Sequence, residues 1–361
     1  MIGKTILLID TSYPINTRNS KILMSVSGCE KHVATWNRDN RPALSSKKCY
    51  SENIFTSISP YGNKILKIGK LFTFAVFVKK CIKEIKPDYI IASHWDTLLI
   101  AVLFNHGKCK LIYENLDMPT ANNGFILALL QKLEKHALGK TDAIIFASRF
   151  FVEQYPFYRK KTLVLENKPF ADIKNEKPAV YLHSTDNIKL SFIGTLRYFD
   201  CMKNLITAAS GLPIDVLFFG DGPDYSKLKT FSENHDNVYF FGKYNYEDIR
   251  CIYELSDIIW AVYPNKDYNV KYAISNKFFE SLVFHKPAFF AANTLLGDFV
   301  MKNNIGFVVD PYCSECIREK LLAIISNIKM LDTIVKNIKE YNSKSSLFWE
   351  DDIQLLRHIF D

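Results

Sequence analysis

Three neighbouring stretches, IIWAVYP (258–264), ISNKFFESLVFHKP (274–287) and AFFAA (288–292), decide how the chain is read. The first and last are apolar runs of the length of buried strands. The middle one opens with Ser275, whose hydroxyl can accept a free N–H of a first helical turn, and closes at Lys286-Pro287, which stops a helix. Between them Phe278, Leu282 and His285 share one side, with Phe279 and Val283 beside them, so a helix over 276–285 presents a broad apolar face and places His285 in the core. Strand, loop, short helix, strand is the pattern of a parallel sheet. Asn276 and Glu280 fall on one face near the helix start, with Lys277 beside them. In such sheets helix starts lie over the carboxyl ends of the strands, where ligands bind. An amide, an ammonium and a carboxylate gathered there predict a polar, charged ligand.

The same alternation runs through the chain twice. TILLID (5–10), HVATW (32–36), YIIAS (89–93), KLIYE (110–114), AIIFAS (143–148) and TLVLE (162–166) read as strands, with helices over 97–106 and 124–139. After the polar stretch 171–187, a linker, come KLSFIG (189–194), DVLFFG (215–220), VYFFG (238–242), the two strands above and GFVVD (306–310). Helices over 202–210, 224–234, 246–255, 276–285 and 314–328 separate them, and 345–360 forms a last amphipathic helix. The pattern predicts an α/β protein of two doubly wound, Rossmann-like domains, 1–172 and 188–344, with 345–361 added at the end.

Charge is uneven. Residues 1–175 hold 26 Lys and Arg against 14 Asp and Glu, a net +12, whereas 176–361 are net −4. The basic half therefore faces an anionic surface or polymer. No nucleic-acid-binding motif is present, which leaves an anionic membrane surface, met through 63–86, where Lys64, Lys67, Lys70, Lys79, Lys80, Lys83 and Lys86 flank LFTFAVFV. A core helix with solvated lysines explains the second half of that segment equally well. The apolar runs are all shorter than the roughly 18 residues a membrane span needs, and the ILLI of the first strand is too short for a signal segment. Eight scattered cysteines, with one CxxC at Cys313 and Cys316, read as thiols of a reducing cytoplasm.

Glycines end three strands of the second half: Gly194 in FIGTLRYFDCMKN, Gly220 and Gly222 in FFGDGPDYSKL, Gly242 in YFFGKYNYEDI. Glycine there lets backbone N–H groups and helix starts approach phosphate. Arg197, Lys203 and Lys277 can neutralise a diphosphate. Glu280 can accept from two ribose hydroxyls, and Tyr244 can border a base. That is a nucleotide-diphosphate site.

With these residues the second half resembles the donor-binding domain of GT-B glycosyltransferases of the family 4 type. The resemblance rests on the Gly194 loop with Arg197 and Lys203, the G-x-G-P turn at Gly220 to Pro223, and the strand–loop–helix carrying Lys277, Glu280, Lys286 and Pro287. ILLIDTSYP, KLIYENLDMP, FASRFFVEQY and FWEDDIQLLRHIF extend it across nearly the whole chain. It implies two domains facing across a cleft, the first binding acceptor and the second a UDP- or GDP-sugar, with the terminal helix returning to the first. It implies ribose binding by Glu280 and transfer to a glycan or lipid-linked acceptor in surface-polysaccharide assembly, in the cytoplasm or at the inner membrane face. The chain departs from the pattern at Tyr272, which stands where the family's first Glu would be, eight positions before Glu280, and in an Arg displaced from Gly194. Retention or inversion is therefore left open.

Glycosyl transfer builds charge on a departing diphosphate, which a metal or fixed cations must stabilise. The sequence has no Asp-x-Asp, so the reading is a metal-free, cationic one with no cofactor beyond the nucleotide sugar. An inverting enzyme also needs a base in the first domain. Asp117 and Glu114, just after KLIY, come first, then His94 after YIIAS; Arg149, after AIIFAS, reads equally as a cleft or a surface residue, and the CSEC cysteines read as structural. A nucleotide-sugar epimerase or hydrolase on the same fold, or a non-catalytic nucleotide-sugar-binding subunit, are the competing readings.

Overall fold

A computed structural model describes residues 2–42, 48–59, 64–174 and 183–360. The chain divides into two units, Met1–Glu166 with Asp352–Asp361, and Asn167–Asp351. The expected linker, 171–187, therefore lies inside the second unit, with 175–182 outside the described residues.

The first unit is built on β1 (Lys4–Asp10), β2 (Cys29–Asn37), β3 (Ser51–Thr56), β4 (Tyr89–Ser93), β5 (Lys110–Asn115), β6 (Ala143–Phe146) and β7 (Lys161–Val164). All pair in parallel, in the order β3-β2-β1-β4-β5-β6-β7. Leu8 lies between Val33 and Ile91 in register, all three fully buried. Apolar side chains on both faces are what a sheet covered by helices on both sides requires. β3, SENIFT, has no apolar run and is an edge strand of half-buried residues, held by Phe55 against Trp36 and Phe74. The helix Lys64–Ile85 turns Phe74 and Val78 into the core, so the apolar middle of the basic segment mostly fastens it to the sheet, while Phe72 and Val76 stay outside. Residue 63 lies outside the described residues. At the chain end Phe360 packs edge-on against Tyr89, whose hydroxyl donates to the Phe360 carbonyl.

The second unit repeats the plan with β8 (Ile188–Ile193), β9 (Ile214–Phe219), β10 (Val238–Gly242), β11 (Ile258–Ala261), β12 (Ala288–Ala291) and β13 (Phe307–Val309), in the parallel order β10-β9-β8-β11-β12-β13. Leu190 sits between Val216 and Ile258. Each unit is thus a doubly wound, Rossmann-like domain whose winding reverses beside its first strand, at β1/β4 and at β8/β11; ligands of such sheets bind at that reversal. Helices Thr17–Ser25, Leu295–Asn303 and Lys329–Asn342 add to those read from sequence. The helix at 276 stops at Val283 because His285 takes a left-handed turn (φ 53°), which leaves it half-buried rather than in the core. Cys313 and Cys316, read as thiols, are joined in a disulfide, and Cys313 caps the helix Ser314–Ser326. Among the described residues no helix is long and apolar enough to cross a membrane.

Candidate functional site

In the second unit the winding reversal is bordered by the loop after β8, 194–198, and the loop after β11, 262–267. Tyr198 and Tyr263, one from each, meet edge to face at 6.5 Å, and the Arg197 guanidinium lies 4.8 Å from the Tyr198 ring. Beside them begins the helix Asn276–Val283, capped as expected by Ser275, whose hydroxyl accepts from the Lys277 N–H.

Glu280 and Lys277, 2% and 8% exposed, are the charged residues of this helix and both are buried. Lys277 Nζ lies 2.7 Å from Glu280 Oε2, and Tyr253 donates its hydroxyl to the same oxygen at 2.9 Å. Glu280 Oε1 makes no hydrogen bond among the described residues. Burial pulls the Lys277 ammonium towards neutrality, but Glu280 and the hydroxyls of Tyr244 and Tyr263 more than offset it, so its pKa stands above the ordinary lysine value. Burial, followed by the Glu280 charge, holds the Tyr253 hydroxyl firmly protonated. Tyr244 is likewise raised by burial, against the pull of Lys277. The arrangement is a carboxylate fixed through one oxygen by an ammonium and a phenol, with its other oxygen uncommitted.

The structure therefore gathers Tyr244, Lys277 and Glu280, with Arg197 on the adjacent loop. Lys203 is set apart: its ammonium lies 5.5 Å from the Phe231 ring, on the outer side of its helix. Asn276 is exposed and accepts from Asn167 at 2.8 Å. Tyr253 and Tyr263 were not anticipated. Tyr263 could have been found as the polar end of IIWAVY, whereas Tyr253 sits in the helix Ile249–Leu255 with no local signal.

The glycines serve differently from the expectation that they bare amides to phosphate. A Cβ on Gly220 (φ 141°) would stand 1.8 Å from the Gly194 carbonyl oxygen, and one on Gly222 would stand 2.3 Å from that of Leu196. These glycines let two loops run backbone against backbone, where the Gly194 N–H donates to Phe219, Leu196 to Asp221 and Gly220 to Gly242. Those three amides are consumed inside the protein.

In the first unit the reversal lies between β1 and β4. Asn19 Nδ2 spans it, donating to Asp10 Oδ2 at 2.7 Å and Ser93 Oγ at 2.9 Å. Glu114 at the end of β5 is fully buried, with Oε1 2.6 Å from Arg18 Nε. Burial pushes its carboxyl above the usual range despite Arg18, and lowers the Arg18 guanidinium. A carboxylate so enclosed orients Arg18 through its one bonded oxygen. Asp117 is exposed on the following loop. His94, half-buried, holds a left-handed backbone (φ 72°) where β4 turns into its helix, with its N–H on the Glu114 carbonyl. Such backbone persists only where its surroundings impose it. Arg149, read equally as a cleft or a surface residue, is 39% exposed and chelates Glu166 at 2.7 and 2.6 Å. Among the described residues no group of three His, Cys, Asp or Glu is placed to hold a metal.

Residues 173–341 match the family model of glycosyl transferases group 1. The whole chain aligns at 22% identity with 99% of an uncharacterized glycosyltransferase of Methanocaldococcus jannaschii. Over 74% of each chain it is 23% identical to the O-antigen chain mannosyltransferase C of Escherichia coli. The structure of HepE from Anabaena, solved in complex with UDP-glucose, superposes with a TM-score of 0.68 at 14% identity, covering 99% of both chains. The fold is that of GT-B glycosyltransferases, and together with the match over 173–341 it supports a group 1 glycosyltransferase.

Proposed function

We propose that the protein transfers a sugar from a nucleotide-diphosphate sugar to a glycan or lipid-linked acceptor in surface-polysaccharide assembly, without a metal. The observation that carries this reading is the buried Tyr253–Glu280–Lys277 cluster beside the β8/β11 reversal. Held by two donors on Oε2, the Glu280 carboxylate offers Oε1 to ribose hydroxyls, and Tyr244 flanks the base. Arg197 and the Lys277 ammonium supply positive charge towards the departing diphosphate. The mannosyltransferase and the UDP-glucose-bound relative lend support to a nucleotide sugar as donor and to a glycan as acceptor.

On the acceptor side His94 takes precedence over Glu114, since His94 is half-buried at the strand end and Glu114 is fully buried. Asp117, exposed on the next loop, is the second candidate. A non-catalytic nucleotide-sugar-binding subunit is the alternative favoured by Tyr272, which packs against Tyr268 in the place of the family's first Glu. The deciding experiment incubates the protein with labelled UDP- and GDP-sugars and membrane extract in the presence of chelator. Label in glycan or lipid is the expected outcome. Tight nucleotide binding with neither transfer nor hydrolysis would establish the non-catalytic subunit instead.

A further inference from the structure

The helix Gly124–Leu138 is turned the wrong way round for a water-facing helix. Its one carboxylate, Glu134, is 5% exposed, while Phe125, Ile126, Leu129 and Leu133 are 80%, 48%, 48% and 41% exposed. A surface helix ordinarily buries the second kind of residue and solvates the first. The inversion is enforced: Glu134 Oε1 accepts from the hydroxyls of Tyr113 and Tyr155, both at 3.0 Å, which fixes the rotation of the helix about its axis. The four apolar residues then share an arc of about 100° on the opposite side. Lys132 and Lys135 are exposed on the same helix, which has no exposed acid. Right-handed connections that step the same way across the sheet put their helices on one face. The helices Lys64–Ile85 and Trp95–Asn105 therefore lie in the same layer, with Phe72, Val76 and Leu103 exposed.

We propose that this stripe is seated in the interfacial region of an anionic lipid bilayer, with Lys132 and Lys135 among the headgroups. The inference rests on the transferase reading only in that it names the lipid part of the acceptor's surroundings. It shifts the apolar contact from 63–86, whose Phe74 and Val78 are spent on the core, to the next helix but one. Charge selects the occupant: a second copy docked symmetrically on the stripe would bring like lysines together, whereas anionic headgroups attract them. Position supports it as well. Phe125 and Ile126 stand in the first turn of a helix that follows β5, and so at the same sheet rim as His94, where a lipid-linked saccharide rising from the bilayer would present its hydroxyl.

The test is co-sedimentation of the full chain with phosphatidylcholine vesicles, with and without phosphatidylglycerol. Binding is expected to the anionic vesicles, to weaken with salt, and to fall on the order of tenfold or more in a Phe125→Ser, Leu129→Ser variant. Lys132→Ala and Lys135→Ala are each expected to reduce it about fivefold. Nucleotide affinity serves as the folding control and should not change. Binding indifferent to these substitutions overturns the proposal. So does a dimer, seen by sedimentation velocity, that the apolar variant dissolves while vesicles bind nothing. Vesicle binding by a chain that transfers no sugar leaves the surface standing and removes the transferase reading; transfer to a soluble acceptor without vesicle binding does the reverse.

Discussion

Substituting Glu280 by Gln separates the two tasks assigned to that side chain. In the folded protein its Oε2 compensates the Lys277 ammonium at 2.7 Å, and both groups are nearly out of contact with water. Removing one partner of a buried pair leaves an uncompensated charge, worth about 3–5 kcal/mol when the pair is broken outright. The amide still accepts from Tyr253, so we expect a loss at the lower end, about 3 kcal/mol, in urea denaturation. Nucleotide binding should weaken separately, because a hydrogen bond from ribose to a charged acceptor is worth about 1.5–3 kcal/mol, or about 10- to 150-fold in Kd by calorimetry. The double variant Glu280→Gln, Lys277→Met then distinguishes the roles. It removes the stranded ammonium and should recover most of the stability while leaving nucleotide affinity at or below the level of the single variant. Recovery of both would refute the argument, since Glu280 would then serve only to neutralise Lys277.

Other outcomes follow from the same geometry. Burial raises the Glu134 carboxyl from its ordinary 4.5 to about 7, against the pull of the Tyr113 and Tyr155 hydroxyls. The folded state thus favours the protonated acid, so its contribution is complete below pH 4.5 and is lost as pH rises towards 7. The full loss is about 3 kcal/mol, and Glu134→Gln should flatten that part of the denaturation profile; an unchanged slope would count against it. Gly220→Ala should cost more than about 3 kcal/mol of stability, as its Cβ would meet a carbonyl oxygen at 1.8 Å. Gly194→Ala, with nothing nearer than 4.0 Å, should cost only the backbone strain of its φ of 146°, about 1–2 kcal/mol, and thermal unfolding compares the two. His94→Gln should lower transfer by about 10²–10⁴-fold with nucleotide Kd unchanged; wild-type transfer would shift the role to Asp117.

Much of the second domain was legible because its signals are local. Apolar runs between glycine loops mark the strands, Ser275 marks the helix start, and the spacing of Lys277 and Glu280 puts both in one turn. β3 was not legible, since SENIFT carries no apolar run and becomes a strand only by pairing with the edge of β2. The end of the helix at Val283 also escaped, because the left-handed turn at His285 has no glycine to announce it.

What the sequence determined by itself is the repeated doubly wound plan and the chemical character of the helix start beside the β8/β11 reversal, because both follow from short-range periodicity and spacing. Which charges are sealed and which are open was decided only by tertiary structure. Glu114 and Glu134 look alike in the chain, yet one is closed around Arg18 and the other is drawn inward by Tyr113 and Tyr155 while apolar side chains of its helix face outward. Tyr253 reaches Glu280 across 27 residues. Such partners come from different strands and helices, and their energies depend on a burial that no local window contains.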